Sequence, residues 1–130
     1  MKISILIAER HHYFGESLRI MLEEHSHDFK VLGLVKTGKE AIEFVHRQQP
    51  DILLMDVDMA KGSGLDAAVR ILHQYPQIGI IGFSVMPDTE KLEAVKKAGL
   101  KGYLSKSTTM RSLARVIRTV HKGGQFFEQT

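Results

Sequence analysis

Four side chains that can take part in acid–base or phosphoryl chemistry each come directly after a short apolar run. Glu9 follows ISILIA, Asp56 follows ILLM, Ser84 follows IIGF and Lys106 follows GYLS. Carboxylates bind divalent cations or act as nucleophiles, a hydroxyl exchanges hydrogen bonds, and a lysine supplies positive charge. If these side chains converge, they predict a site that binds a cation and positions an anionic group such as phosphate.

Asp56 is the central residue of this set, and two interpretations of it are open. Its carboxylate is expected to project where a buried strand ends, so it can ligate Mg²⁺, accept a phosphoryl group, or do both. Alternatively, it caps the turn that leads into the loop 58–64. An isolated Asp would favour the cap, but reactive side chains at the matching ends of other strands favour a functional site.

The elements that must position these residues follow a regular alternation. The predicted strands are Ile3–Ala8, Phe29–Val35, Asp51–Asp56, Ile78–Phe83 and Gly102–Leu104, and a stretch with helical periodicity follows each of them. The first, third and fourth strands are apolar nearly throughout, as parallel strands covered on both faces are. Because βαβ crossovers are right-handed, this (βα)5 order predicts a parallel sheet with helices on both faces. The carboxyl ends of its strands share one edge, which brings the four polar side chains together.

Composition and charge exclude several other classes of protein. The chain has 130 residues, 43% of them apolar, which predicts one domain with a real core. It has no cysteine, so disulfides, thiolate metal sites and a cysteine nucleophile are excluded. No apolar run approaches the roughly 20 residues needed to cross a bilayer, and MKISILIAER is too short for a signal peptide, so we expect no membrane association and a cytoplasmic location. The net charge of +3 does not predict nucleic-acid binding, and the seven histidines lack a metal-ligand spacing.

The ordered set of motifs resembles the receiver domain of bacterial response regulators over nearly the whole chain. The run DILLMDVDMAKGSGLDA at 51–67 resembles the phosphoacceptor segment of that family. GFS at 82–84 resembles the end of its fourth strand, and GYLSKS at 102–107 resembles its fifth-strand motif. Together with ILIAERH near the N-terminus, these motifs imply an α/β, flavodoxin-like three-layer sandwich with a five-stranded parallel sheet in the order 2-1-3-4-5.

The resemblance also implies roles for individual residues. Asp56 is expected to accept a phosphoryl group from a sensor histidine kinase, with Mg²⁺ as cofactor. Glu9, Asp56 and the backbone carbonyl of Asp58 are the expected metal ligands, and Lys106 is expected to neutralise charge on the phosphate. Beyond its own phosphorylation and dephosphorylation, the chain is not expected to be an enzyme.

Ser84 and Tyr103 stand at the positions that carry the conformational switch in the family. Ser84 is expected to move toward the phosphate, and Tyr103 is expected to repack between the fifth strand and the fourth helix. This would change dimerisation through the face formed by helix 4, strand 5 and helix 5, or release an output domain.

The C-terminal part narrows the resemblance further. STTMRSLARVIRTVHKGGQFF, after Lys106, resembles the last helix and exit of regulators that carry a LuxR-type helix-turn-helix output domain, and His11 also fits this group. We expect a receiver domain at 1–124 and the start of a linker or tail at 125–130. In such regulators a DNA-binding domain follows, so any contact with DNA is expected only through a C-terminal domain outside this chain.

Arg10 is the main departure from the family, which normally has two adjacent acids where this chain has Glu9-Arg10. Three consequences are open. Arg10 turns outward and leaves a weakened Mg²⁺ site, it binds the phosphoryl group itself, or it pairs with Asp56 and makes regulation independent of phosphate. The last favours a rival interpretation, a pseudo-receiver that acts only as a protein-interaction module. A lesser departure is Ala60, which stands where the family usually has Pro and is expected to loosen the loop after Asp56.

Overall fold

The computed structural model describes residues 2–59 and 63–128, and strands and helices alternate along both stretches. The strands are β1 (Ile3–Ala8), β2 (Phe29–Val35), β3 (Ile52–Asp56), β4 (Gly79–Ser84), β5 (Gly102–Ser105) and β6 (Phe126–Phe127). The helices are α1 (His12–His25), α2 (Gly38–Arg47), α3 (Ser63–Gln74), α4 (Thr89–Ala98) and α5 (Met110–His121). The alternation predicted from the sequence is confirmed, and the predicted strand ends differ from these by at most one residue.

All strand pairs of the sheet are parallel, and the order is β2-β1-β3-β4-β5-β6. The predicted order 2-1-3-4-5 is therefore confirmed, and the sixth strand extends it. The register pairs Asp56 with Phe83 and Ser84 with Ser105. It follows that the last residues of β3, β4 and β5 lie side by side at one edge of the sheet.

Strand β6 was not predicted, because its residues were assigned to the beginning of a linker or tail. Its pairing with β5 is held by two backbone hydrogen bonds: Phe126 N–H donates to the Lys101 carbonyl (3.0 Å) and Glu128 N–H donates to the Tyr103 carbonyl (2.8 Å). Gly123, at a φ of 95°, supplies the left-handed residue that ends α5 and turns the chain back toward the sheet. A two-residue strand has no periodicity to read, so only the tertiary structure shows it.

The sheet separates two hydrophobic cores, and alternate side chains of β1 enter different ones. Ile3, Ile5 and Ile7 pack with residues of α1 and α5 on one face. Leu6 and Ala8 pack with residues of α2, α3 and α4 on the other face. These are the three layers predicted from the sequence, and they hold the strand ends rigidly in place.

Helix α3 begins in direct contact with the end of β3. A Cβ atom added to Gly64 would lie 2.5 Å from the Asp56 carbonyl oxygen, which is too close for any other residue to be accommodated without a backbone shift. Gly64 thus allows α3 to start beside Asp56 and fixes where the loop after β3 returns to the domain.

Candidate functional site

The carboxyl edge of the sheet brings together the four reactive residues that the sequence predicted. Asp56 is the last residue of β3 and Ser84 is the last residue of β4. Glu9 directly follows β1, and Lys106 directly follows β5. Glu9, Asp56 and Ser84 are fully buried, which is unusual for charged and polar side chains and indicates a specific site.

Lys106 joins the two carboxylates in a buried ion cluster. Its Nζ atom lies 2.7 Å from Glu9 Oε1 and 3.3 Å from Asp56 Oδ2, and only 9% of its side chain is exposed. Removing a charge from water costs several kcal/mol per ion, so each member of this cluster depends on the others. The lysine therefore belongs to the site and is not one of the solvated lysines of the surface.

Two aromatic rings hold the Lys106 ammonium group from the other side. Nζ lies 5.3 Å from the ring centroid of Phe14 and 5.4 Å from that of Phe83, within the range of cation–π attraction. Neither ring was predicted from the sequence to serve the site. The sequence feature that could have indicated the role of Phe83 is its position directly before Ser84 on β4, the neighbour of the strand that Lys106 follows.

Glu9 is held in its buried position by the start of α1. Its Oε2 atom accepts a hydrogen bond from the His11 N–H group at 2.9 Å. Burial raises the pKa of Glu9 above the ordinary value, and the hydrogen bonds from His11 and Lys106 only partly oppose this shift.

Asp56 uses its two carboxylate oxygens differently. Oδ1 accepts a hydrogen bond from the Asp58 N–H group at 2.8 Å, which ties the carboxylate to its own loop. Oδ2 points toward Lys106 but receives no hydrogen bond of good geometry from the residues at 2–59 and 63–128. Oδ2 is consequently the oxygen available for a ligand or a reaction.

Glu9 and Asp56 provide donor atoms that fit a divalent cation. Glu9 Oε1 and Asp56 Oδ2 are both buried carboxylate oxygens, and the Lys106 ammonium group lies 2.7 Å from the first and 3.3 Å from the second. Hard cations such as Mg²⁺ prefer oxygen ligands of this kind and keep several waters. No cluster of three or more His, Asp or Glu side chains suited to a metal occurs among residues 2–59 and 63–128. The predicted role of the Asp58 carbonyl stays a prediction.

Arg10 is directed toward Asp56 rather than away from it. Its Nε atom lies 4.0 Å from Asp56 Oδ2, and 46% of its side chain is exposed. The distance allows ion pairing but not a hydrogen bond. Arg10 therefore adds a second positive charge at the solvent side of the carboxylate.

Ser84 and Tyr103, the predicted switch residues, are in direct contact. Their hydroxyl oxygens are 2.9 Å apart, and both side chains are fully buried. Burial raises the pKa of the Tyr103 phenol above its ordinary value, although the hydrogen bond to Ser84 acts in the opposite direction. In this state the Ser84 hydroxyl is engaged with the tyrosine.

The Asp58 side chain connects the loop after β3 to the loop after β4. Its carboxylate accepts a hydrogen bond from the Val85 N–H group at 2.8 Å and pairs with Lys91 at 3.2 Å. Burial lowers the pKa of Lys91, but the hydrogen bond and charge of Asp58 more than offset this, so the pKa lies above the ordinary value. This bridge was not predicted. Ala60, the other residue of this loop discussed above, lies outside the described residues.

Comparison with known proteins gives a consistent result. The family model described as the response regulator receiver domain matches residues 5–118. The transcriptional regulatory protein DegU of Brevibacillus brevis is 30% identical over 125 residues, which are 96% of this chain and 52% of that protein. DesR of Bacillus subtilis is 34% identical over 96% of this chain and 61% of its own length. The oxygen regulatory protein NreC of Staphylococcus aureus is 33% identical over 97% of this chain and 58% of its own length.

Solved structures show the same fold. A LuxR-family response regulator from Aurantimonas superposes with a TM-score of 0.90 at 21% identity, covering 97% of this chain and 89% of that one. The signal receiver domain of a NarL-type regulator from Mycobacterium tuberculosis gives 0.86 at 21% identity, covering 94% and 98%. This chain spans between 52% and 61% of the length of the curated relatives named above. Within its described residues, no helix is long and apolar enough to span a membrane.

Proposed function

We propose that this chain, which belongs to the response regulator receiver domain family of two-component transcriptional regulators, is a phosphorylation-controlled switch. Asp56 is the residue that accepts the phosphoryl group. The phosphoryl donor is the phosphohistidine of a partner sensor kinase. The observation that carries the proposal is the buried Oδ2 atom of Asp56, which lacks a hydrogen bond within the described residues and faces the Lys106 ammonium group at 3.3 Å.

The side chains around Asp56 are arranged to assist an in-line transfer. Asp56 Oδ2 would form the new O–P bond while the N–P bond of the phosphohistidine breaks and its electron pair returns to the imidazole. Lys106, held between two rings and two carboxylates, would then compensate the charge on the phosphoryl oxygens. Its buried position means that this charge acts where screening by water is weak.

A Mg²⁺ ion would be held by Glu9, Asp56 and the backbone carbonyl of Asp58. When bound, it would supply positive charge to the phosphoryl oxygens. The buried Oε1 atom of Glu9 and Oδ2 atom of Asp56 support this assignment, since both are carboxylate oxygens that lie within 3.3 Å of the same ammonium group. No other catalytic activity is proposed.

The conformational response would begin at Ser84. Donating a hydrogen bond to the phosphoryl group would take the Ser84 hydroxyl away from Tyr103, 2.9 Å distant, and would leave the phenol free to repack. The effect would reach the surface formed by α4, β5 and α5, where dimerisation or a C-terminal DNA-binding domain would respond. Because β6 covers the outer edge of β5, that surface includes β6 in this chain.

Intact-mass spectrometry with a small acyl phosphate as donor tests the proposal. The unmodified chain is expected to gain one phosphoryl group, and the Asp56→Asn variant is expected to gain none while retaining its fold by circular dichroism. Asp66→Asn, which changes an exposed carboxylate on α3, is the matched control and should be labelled normally. Labelling that persists in Asp56→Asn would refute the acceptor assignment. A lack of any adduct, while a known receiver domain is labelled in parallel, would favour the phosphate-independent interaction module.

A further inference from the structure

We propose that Arg10 is a phosphoryl-binding residue of this site and that its charge makes phosphorylation of Asp56 largely independent of a divalent cation. This inference rests on the proposed function and specifies how the site recognises its anionic substrate group. The Arg10 side chain lies at the solvent side of the site, next to Asp56 Oδ2, the oxygen that would form the new bond.

Asp56 Oδ2 lies between two cations, Lys106 Nζ at 3.3 Å and Arg10 Nε at 4.0 Å. Lys106 is 9% exposed and approaches from the interior, whereas Arg10 is 46% exposed and approaches from the solvent side. The other oxygen of Asp56 is occupied by the Asp58 N–H group. A phosphoryl group attached through Oδ2 would therefore emerge between Lys106 and Arg10.

The charges of the four ionisable side chains balance one another. Glu9 and Asp56 contribute two negative charges, Lys106 contributes a positive charge within 3.3 Å of both, and Arg10 contributes a second one 4.0 Å from Asp56. The carboxylate of Asp58 is paired separately with Lys91. With both carboxylates ionised, the four-residue cluster is therefore already neutral without a bound cation. It becomes anionic only when Asp56 is phosphorylated, which is the state that an additional guanidinium contact would stabilise.

The hydrogen-bond donors of Arg10 suit a phosphoryl group. A guanidinium carries five N–H donors in a planar fork that matches phosphate oxygens. Within the described part of the chain, Arg10 makes no hydrogen bond that would occupy these donors, and its Nε atom is 4.0 Å from Asp56 Oδ2. Arg19 on α1 differs, because its Nε and Nη2 atoms both lie 2.8 Å from Glu16 Oε1. Arg10 is thus placed near the reacting oxygen with its donors free for an anionic group.

The transfer step can be written without a metal ion. With an acyl phosphate as donor, Asp56 Oδ2 forms an O–P bond, the P–O bond to the acyl group breaks, and the carboxylate leaves with the electron pair. Lys106 and Arg10 would contact the phosphoryl oxygens from opposite sides during this step. No proton transfer is needed, because both the nucleophile and the leaving group are carboxylates.

The test compares rates of adduct formation by intact mass, with Mg²⁺ and with a chelator, in the unmodified chain and in Arg10→Ala, Arg10→Asp and Arg19→Ala. We expect the unmodified chain to lose less than about tenfold in rate without Mg²⁺, a change of under ~1.4 kcal/mol in the barrier. Arg10→Ala should lose at least a further ~10-fold of its metal-free rate. Arg10→Asp should be labelled only with Mg²⁺. Arg19→Ala, with a similarly exposed arginine on α1, should behave as the unmodified chain.

Isothermal titration with MgCl₂ gives a second readout that does not depend on phosphoryl transfer. Replacing the positive charge by a carboxylate should tighten Mg²⁺ binding by at least ~10-fold in Arg10→Asp relative to the unmodified chain. Equal affinities, or an unmodified chain that requires Mg²⁺ as strictly as Arg10→Asp, would overturn the inference while leaving Asp56 as the acceptor. If no variant forms an adduct under any condition, the proposed function fails and this inference fails with it.

Discussion

The hydroxyl oxygens of Ser84, the last residue of β4, and Tyr103, the second residue of β5, lie 2.9 Å apart, and both side chains are buried. Each hydroxyl is the hydrogen-bond partner of the other in a region without exposure to water. Any movement of Ser84 toward a group on Asp56 would leave the tyrosine hydroxyl without this partner. The pair therefore links the proposed acceptor site to β5 through a side-chain interaction whose energy can be measured.

Ser84→Ala and Tyr103→Phe are each expected to lower the free energy of unfolding by about 1 kcal/mol, because each removes the buried hydrogen bond between the two hydroxyls. The double variant should cost clearly less than the sum, since it removes both hydroxyls together. Urea denaturation of the four chains measures this coupling. Strict additivity would show that the two hydroxyls do not stabilise one another.

Tyr103 is expected to ionise only at a pH above 10.0, the ordinary value for a tyrosine, because burial disfavours the phenolate. Since the pKa of Tyr103 in the folded state exceeds that in the unfolded state, the contribution of the neutral phenol to the free energy of unfolding is complete below the unfolded pKa. It is lost as the pH rises from that value through the folded pKa. Phenolate absorbance during an alkaline titration checks this, with Tyr13→Phe removing the signal of a side chain that is 85% exposed. A Tyr103 titration that coincides with that of free tyrosine would contradict the prediction.

Lys106→Met is expected to lower the free energy of unfolding at neutral pH by about 3 kcal/mol, because Glu9 is left as a buried carboxylate without its ion pair and Asp56 keeps only Arg10, 4.0 Å away. Adding Glu9→Gln to this variant should restore part of the loss by removing one of the two charges. Lys101→Met, at an exposed position, provides the control and should change stability little. If Lys106→Met is as stable as Lys101→Met, the ion cluster does not contribute to the folded state.

The Val85 amide is expected to exchange its hydrogen about fivefold faster in Asp58→Ala, the factor that corresponds to a lost hydrogen bond of ~1 kcal/mol. Lys91→Met serves as a matched variant, because it removes the ion pair with Asp58 but leaves the hydrogen bond to Val85. Amide exchange followed by NMR distinguishes the two. Equal rates at Val85 in the unmodified chain and in Asp58→Ala would show that the bridge does not form in solution.

The sequence by itself determined the layout of the fold and the main members of the site. Nearly continuous apolar runs at β1, β3 and β4 can be buried only in a sheet covered on both faces, and this condition leaves few possible topologies. Once the strands are parallel, their ends must share one edge. Glu9, Asp56, Ser84 and Lys106 could therefore be brought together from the pattern, before any distance was known.

Only the tertiary structure decided how these residues use their atoms. Side-chain rotamers and loop geometry decide which oxygen of Asp56 is free and where Arg10 points. They also decide the cation–π contact of Phe14 with Lys106 and the bridge from Asp58 to Val85. Strand β6 also escaped the pattern, because two residues of backbone pairing leave no hydrophobic period. Periodicity reports which face of an element is buried, whereas the chemistry of this site depends on contacts of 3–4 Å between elements far apart in sequence, which only the packed chain determines.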